Sequence, residues 1–150
     1  MVRNLTIYTL DSKPSKEGKN KIVKFFFKHL EQFGDPIEDI TRSVDYALKE
    51  NISFGGMILT TKIKNEIIGA VIINHSGMKG YIPENILVYI AVHNEYRGKK
   101  IGKFLMNKAI ELTDGDIALH VEADNPAKFL YEKVGFENKY LEMRYIRGEK

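Results

Sequence analysis

Two short runs of this sequence carry residue types suited to chemistry. The first is Val92-His93-Asn94-Glu95-Tyr96-Arg97-Gly98-Lys99-Lys100-Ile101-Gly102-Lys103. An apolar run, Ile86 to Val92, precedes the loop, and Ile101, Phe104, Leu105, Ala109 and Leu112 follow at helical spacing. A strand ends here, a loop follows and a helix begins. The first turn of a helix offers unpaired N–H groups and a partial positive charge, which together make an anion site. Gly98 and Gly102 remove side chains where backbone must approach phosphate oxygens or pack tightly. Arg97, Lys99, Lys100 and Lys103 add positive charge around it. Basic residues in a first turn oppose the helix dipole, and a bound anion offsets that cost. Without an anion, the same run is an ordinary strand–turn–helix. It is not a P-loop, because only three residues separate Gly98 from Gly102 and Lys103-Phe104 follow; nor is it the dinucleotide fingerprint G-x-G-x-x-G.

The second run is Asn125-Pro126-Ala127-Lys128-Phe129-Leu130-Tyr131-Glu132-Lys133-Val134-Gly135-Phe136. Ala127, Leu130, Tyr131 and Val134 fall at i, i+3, i+4 and i+7, the inner stripe of a helix. Gly135 is placed to cap its end. A phenol with a pKa near 10 carries its proton at neutral pH and suits protonation of a departing thiolate. The same position on an apolar stripe also suits a plain core residue.

Taken together, the two runs resemble the GNAT superfamily of N-acetyltransferases. In that family the fourth strand leads into an Arg/Gln-x-x-Gly-x-Gly/Ala loop whose amides hold the CoA pyrophosphate; Arg97-Gly98-Lys99-Lys100-Ile101-Gly102 matches it, with Lys100 where the family often has glycine. A lysine there is compatible with amide binding at negative φ. The second run resembles the family's Asn…Ala-x-x-x-Tyr-x-Lys-x-Gly-Phe segment. The resemblance implies acetyl-CoA as cosubstrate and Tyr131 as the acid that protonates the CoA thiolate. It implies a cofactor contact from Asn125, and strand backbone at Ile90, Ala91 and Val92 facing the pantetheine arm. The implied cofactor set is Ile90, Ala91, Val92, Arg97, Gly98, Lys99, Lys100, Ile101, Gly102, Lys103, Asn125, Lys128 and Tyr131. The resemblance covers Ile86 to Phe136; Met1 to Asn85 matches only in the order of elements.

An amine attacks a thioester only after losing a proton, so a base is needed. Glu84 precedes the apolar strand, near where some family members keep a glutamate base. His120 falls where others have one, and Glu122 alternates with it to the opposite face. His93 lies in the loop and is equally suited to capping it. Glu84 and His120 are the candidate bases.

The elements that must position these residues follow from periodicity. Leu5 to Leu10 reads as a strand, and Lys19 to Phe33 as a helix ended by Gly34. A second helix begins at Asp35-Pro36, with Asp35 as N-cap and Glu38 completing a capping box. Phe54 to Ile63 and Glu66 to Asn74 read as a hairpin turning at Lys64-Asn65. Ile86 to Val92 reads as a strand buried on both faces. Lys99 to Thr113 is a helix, Ile117 to Ala123 a strand, Pro126 to Val134 a helix and Lys139 to Ile146 a closing strand. The expected fold is α/β with a mixed sheet, in the order β-α-α-β-β-β-α-β-α-β, with a parallel unit from Ile86 to Ala123. One of Phe25, Phe26 and Phe27 must face away from the core.

The 150 residues fit one domain, 1–150, large enough to bury about 68–70% of its unfolded surface. With no cysteine there is no disulfide, thiol nucleophile or thiolate metal site, and no metal is expected. No signal peptide or membrane span is apparent, which points to a cytoplasmic protein, monomer or homodimer, without a membrane partner. A net charge of +3 falls short of a nucleic-acid binder. Glu31, Asp35, Glu38, Asp39 and Asp45 make the second helix region acidic, which suits a cationic amine and is also ordinary capping. The expected activity is direct acetyl transfer from acetyl-CoA to a primary amine of a small molecule or peptide. The alternative is a module of the same fold that holds CoA or acyl-CoA as a sensor without turnover.

Overall fold

A computed structural model describes residues 4–148. Its elements are β1 (Thr6–Tyr8), α1 (Lys16–His29), α2 (Ile37–Leu48), β2 (Gly56–Ile63), β3 (Glu66–His75), β4 (Asn85–Val92), α3 (Ile101–Leu112), β5 (Ile117–Leu119) and α4 (Ala127–Lys133). Short 3-10 turns lie at Glu31–Phe33 and Asn94–Tyr96. The strands form one sheet in the order β1-β2-β3-β4-β5. All neighbours are antiparallel except β4 and β5, which run parallel.

Period-2 alternation on the central strands divides the core into two layers. Ile58, Ala70, Ile72 and Ala91 face α1 and α2, packing on Ile22, Phe25, Phe26, Ile40, Val44 and Leu48. Leu59, Val71, Ile73 and Leu87 face the other way, onto Ile101, Leu105, Met106, Ala109 and Tyr131 of α3 and α4. Phe27 is the phenylalanine that points away, 53% exposed. The β2–β3 hairpin turns where the sequence places it, with Lys64 and Asn65 both at positive φ (51° and 66°), as a two-residue primed turn requires.

Two features of β4 shape the space beside it. Its ladder with β3 pairs Ile72 with Tyr89 and Ile73 with Leu87, so Val88 is an extra residue, a β-bulge. In consequence Val88 and Tyr89 both pack toward α1 and α2. On its other edge β4 pairs with β5 only from Asn85↔Ile117 to Leu87↔Leu119. Beyond Leu87 the β4–β5 ladder ends, and Val88–Val92 continues without strand pairing on that edge. The expected strand buried on both faces is therefore half-exposed at Val88, Tyr89 and Ile90, because its neighbour diverges.

Other boundaries differ from expectation for identifiable reasons. Asp35 does not cap α2, whose start at Pro36 has no side-chain cap; the Asp35 carboxylate instead accepts the Tyr89 hydroxyl across the α-helical layer. β5 ends at Leu119 rather than Ala123, since β4 supplies no further partner. Lys139–Ile146 forms no strand: Leu141 and Met143 are 86% and 91% exposed, so the segment gains little burial that would hold a ladder.

Candidate functional site

The loop between β4 and α3 follows this unpaired edge. Gly98 sits at φ +79°, where an added Cβ would meet nothing; its role is conformational. Lys100 sits at φ +65°, also left-handed. The expectation of a negative φ at that lysine is thus overturned: the loop needs the geometry that glycine supplies elsewhere, and lysine adopts it at a cost of about 1 kcal/mol. Lys100 is also the N-cap of α3, without a side-chain cap bond, and no acid occupies the first turn. The first amides of α3, at Ile101, Gly102 and Lys103, are left without side-chain acceptors. Such orphan donors, next to two left-handed residues, make an anion-binding concavity.

The packing of α3 fixes where that concavity points. Gly69 on β3 leaves room for the helix: a Cβ there would lie 2.8 Å from both Ile101 Cγ2 and Leu105 Cδ1. Gly102 meets α4, with its would-be Cβ 3.0 Å from Leu130 Cδ2. The loop helix and the tyrosine helix are therefore in direct contact. Beyond the loop, Lys100, Lys103, Phe104, Asn107 and Lys108 line a groove of about 240 Å³, with the Lys108 ammonium paired to Glu111 at 3.3 Å.

Arg97 does something the sequence did not indicate. Its guanidinium donates to Val92 O (3.2 Å) and His29 O (2.9 Å) and pairs with Glu31 (3.3 Å). The bonds to His29 and Glu31 tie the loop to the end of α1, and the bond to Val92 ties it to the end of β4. His29, which sequence reasoning missed altogether, accepts the Asn94 N–H at its Nδ1 (3.3 Å) and stacks on His93, ring centroids 4.3 Å apart. His93 caps the 3-10 turn by accepting the Glu95 N–H, and its Nε2 reaches Glu66 at 3.1 Å. The only signal for His29 in the sequence was a histidine one turn before a helix end, too common to single it out.

Tyr131 is 8% exposed in the layer formed by α3 and α4, with Phe136 packed at 6.1 Å. Burial pushes its phenol up to about 12, so the hydroxyl stays protonated across the working range. Asn125 accepts the Ala127 N–H at its Oδ1 (2.9 Å) and so organises the start of α4. Lys128 sits over the ring of Phe129.

The two candidate bases are not brought together. Glu84 lies at the start of β4, roughly 26 Å along the strand from Val92 at about 3.3 Å per residue. Its carboxylate accepts Asp116 N–H (2.8 Å) and Gly80 N–H (3.3 Å). Those backbone bonds, Asp116 foremost, lower its pKa, the reverse of what a general base requires. Glu84 anchors the loops at the start of β4 through these two bonds. His120 is exposed, one residue past β5. A second cavity, about 400 Å³, lies by Glu84, His75 and Asn85, at the opposite end of β4 from the loop.

Among the described residues no helix is long and apolar enough to cross a membrane. Comparison with known proteins places this geometry. A mouse protein, cysteine-rich protein 2-binding protein, is 39% identical over 57 residues, which is 37% of this chain and 7% of that protein. The match therefore spans a small part of that relative's length. A possible acetyltransferase from Clostridium difficile 630 superposes with a TM-score of 0.68 at 20% identity, covering 99% of this chain and 100% of the other. Aminoglycoside N-acetyltransferase AAC(6')-Iy, solved with a bisubstrate analog CoA-S-monomethyl-acetylneamine, gives 0.70 at 12% identity and 99% coverage of both chains. At such identities the two structures establish a shared fold. The profile of the acetyltransferase (GNAT) domain matches residues 55–138, more than half the chain and both chemical runs. With its mixed sheet, its parted β4 and β5 and its orphan-amide loop, this chain belongs to the GNAT acetyltransferase family.

Proposed function

We propose that the chain is an N-acetyltransferase that binds acetyl-CoA along β4 and passes its acetyl group directly to a primary amine. The observation that carries this reading is the pairing of β4 with β5 over three residues only. It leaves the Val88–Val92 edge open beside a loop of unpaired amides.

The residues present fit the cosubstrate. Amides at Ile101, Gly102 and Lys103 would take the pyrophosphate, with Gly98, Lys99 and Lys100 shaping the turn. The lysine groove at Lys100, Lys103 and Lys108 suits a further phosphate. The backbone of Ile90, Ala91 and Val92 would orient the pantetheine arm, with Asn125 and Lys128 flanking from the α4 side. Bound acetyl-CoA supplies an acyl group activated as a thioester, whose sulfur needs a proton on leaving.

Tyr131 holds that proton. Its high pKa keeps it a donor at all physiological pH, and its buried surroundings exclude competing water. Arg97 serves as a brace, holding the loop against α1. Glu84 is committed to backbone N–H groups, so His120 or a water chain would deprotonate the amine. The acceptor enters from the side of the bulge, where Tyr89 and Asp35 meet.

Titration of acetyl-CoA into the protein, followed by amine-dependent CoA release, tests the reading. Saturable binding with turnover on some amine supports it. Binding without turnover on any amine favours the acyl-CoA sensor, a reading the commitment of Glu84 also suits. No binding at millimolar ligand removes both.

A further inference from the structure

The contact between the end of α1 and the phosphate loop is built from two stacked imidazoles. Neither is explained by the proposed transfer step. His29 is 5% exposed. Its Nδ1 accepts the Asn94 N–H, so that nitrogen carries a lone pair and the ring's proton sits on Nε2. His93 is in the same tautomer, since its Nδ1 accepts the Glu95 N–H and its Nε2–H is left for Glu66. Both rings therefore satisfy loop amides only while neutral. Protonation of either puts an N–H against an N–H.

We propose that His29 is a positioning residue for the phosphate loop, holding it in its anion-binding form only as a neutral imidazole, so that CoA binding is proton-linked. This rests on the acetyltransferase reading for its ligand, but the latch itself is a property of the free protein.

The charges around His29 all bear on its protonation. On its own helix Lys28 repels a proton; from the loop His93 and Arg97 do the same; Glu31, in the following turn, attracts one. Beyond His93 lie the Glu66 carboxylate from β3 and the Tyr96 ring edge-on at 5.5 Å. Burial is the largest influence and, with His93, Lys28 and Arg97 nearby, lowers the His29 pKa below 6.5. The sign follows. With the loop closed the ring resists protonation; with it open the ring regains an ordinary pKa near 6.5. Below that pH the open form binds more protons, so acid favours opening. Arg97 strengthens the link, because its guanidinium bonds to the carbonyl of His29 itself.

The test has two arms. In the first, amide and imidazole resonances of the free chain are followed by NMR from pH 8 to pH 5. The Asn94 amide should titrate with the His29 ring, at a midpoint below 6.5. In His29→Asn, whose side-chain oxygen replaces the Nδ1 acceptor without titrating, that Asn94 transition should vanish. In the second, CoA affinity is measured by calorimetry at pH 7.5 and pH 5.5. Because the free chain takes up its proton below 6.5, wild-type binding should weaken over this interval by a factor below about tenfold beyond the loss seen in His29→Asn. The variant still reports titration of the CoA phosphate. His29→Phe keeps the stacked ring but not the acceptor and should bind weakly at both pH values. An Asn94 transition unchanged in His29→Asn, or equal pH losses in wild type and His29→Asn, overturns the proposal. Absence of CoA binding at every pH overturns the acetyltransferase reading instead, and the Asn94 titration then decides the latch alone.

Discussion

Gly102 on α3 and Leu130 on α4 are in contact, a Cβ at Gly102 falling 3.0 Å from Leu130 Cδ2. The anion loop and the proposed acid are thus mounted on one interface. An alanine meets only the tip of a flexible side chain and regains helix propensity, so Gly102→Ala should leave the melting temperature nearly unchanged. A branched residue cannot be absorbed. Gly102→Val should destabilise by about 1–3 kcal/mol through overpacking and weaken acetyl-CoA binding. Thermal melts and calorimetry on the two variants check this contrast.

Lys100 holds a left-handed conformation at φ +65°. Lys100→Gly relieves the strain and should raise stability by about 0.5–1 kcal/mol, a shift of about 1–4 °C for a chain of this size. It also removes one lysine from the lining of the groove. CoA affinity should fall, and its dependence on salt should become shallower. A Tm rise accompanied by unchanged salt dependence would separate the loop from the groove.

Tyr131 is kept protonated by burial, with its phenol raised to about 12. Tyr131→Phe should lower kcat by about 10²-fold or more while leaving acetyl-CoA affinity within a factor of two or so of wild type. Since the folded pKa is raised, the associated stability is intact below pH 10 and is lost as pH climbs from 10 toward 12. Alkaline melts of Tyr131→Phe should lose that part of the sensitivity. Wild-type kcat/KM should show no alkaline fall from this residue below pH 10.

Glu84 has its pKa lowered by the Asp116 and Gly80 amides. A carboxylate with a depressed folded pKa contributes stability above its unfolded value of 4.5, and that contribution is lost as pH falls through the folded value. Glu84→Gln should therefore lower Tm at pH 7 and narrow the gap to wild type in acid. The acid-side pH profile of kcat/KM should be unchanged. A flattened profile would return Glu84 to the list of bases.

Much of the fold was legible because burial imposes a period. The stripe Ala127, Leu130, Tyr131 and Val134 lies against α3 as its spacing implies, with only Tyr131 fully buried. Lys64-Asn65 turned the hairpin because its residue types tolerate positive φ. What escaped was whatever depends on a distant partner. The bulge at Val88 is invisible in an unbroken apolar run, where no polar residue marks the phase. Asp35 read as a helix cap by its neighbours in sequence, but Tyr89, 54 residues away, claims it. The strain at Lys100 and the role of His29 are likewise set by tertiary contacts. Arg97 was found by its motif, yet its acceptors on α1 could not be.

The three-residue pairing that opens the cleft also bears on how the molecule comes apart. β2 and β3 share a ladder from Gly56↔Asn74 to Ile63↔Glu66, while β5 holds the sheet by Asn85↔Ile117, Ile86↔Ala118 and Leu87↔Leu119 alone. Opening free energy follows local ladders and burial. Amides from Ile117 to Lys133 belong to a weaker cooperative unit and should exchange with deuterated solvent well before those of β2 and β3. The ladder that ends at Leu87 thus leaves α4 on a part of the chain joined to the sheet by three residue pairs, where a ligand bridging β4 and β5 would slow exchange most.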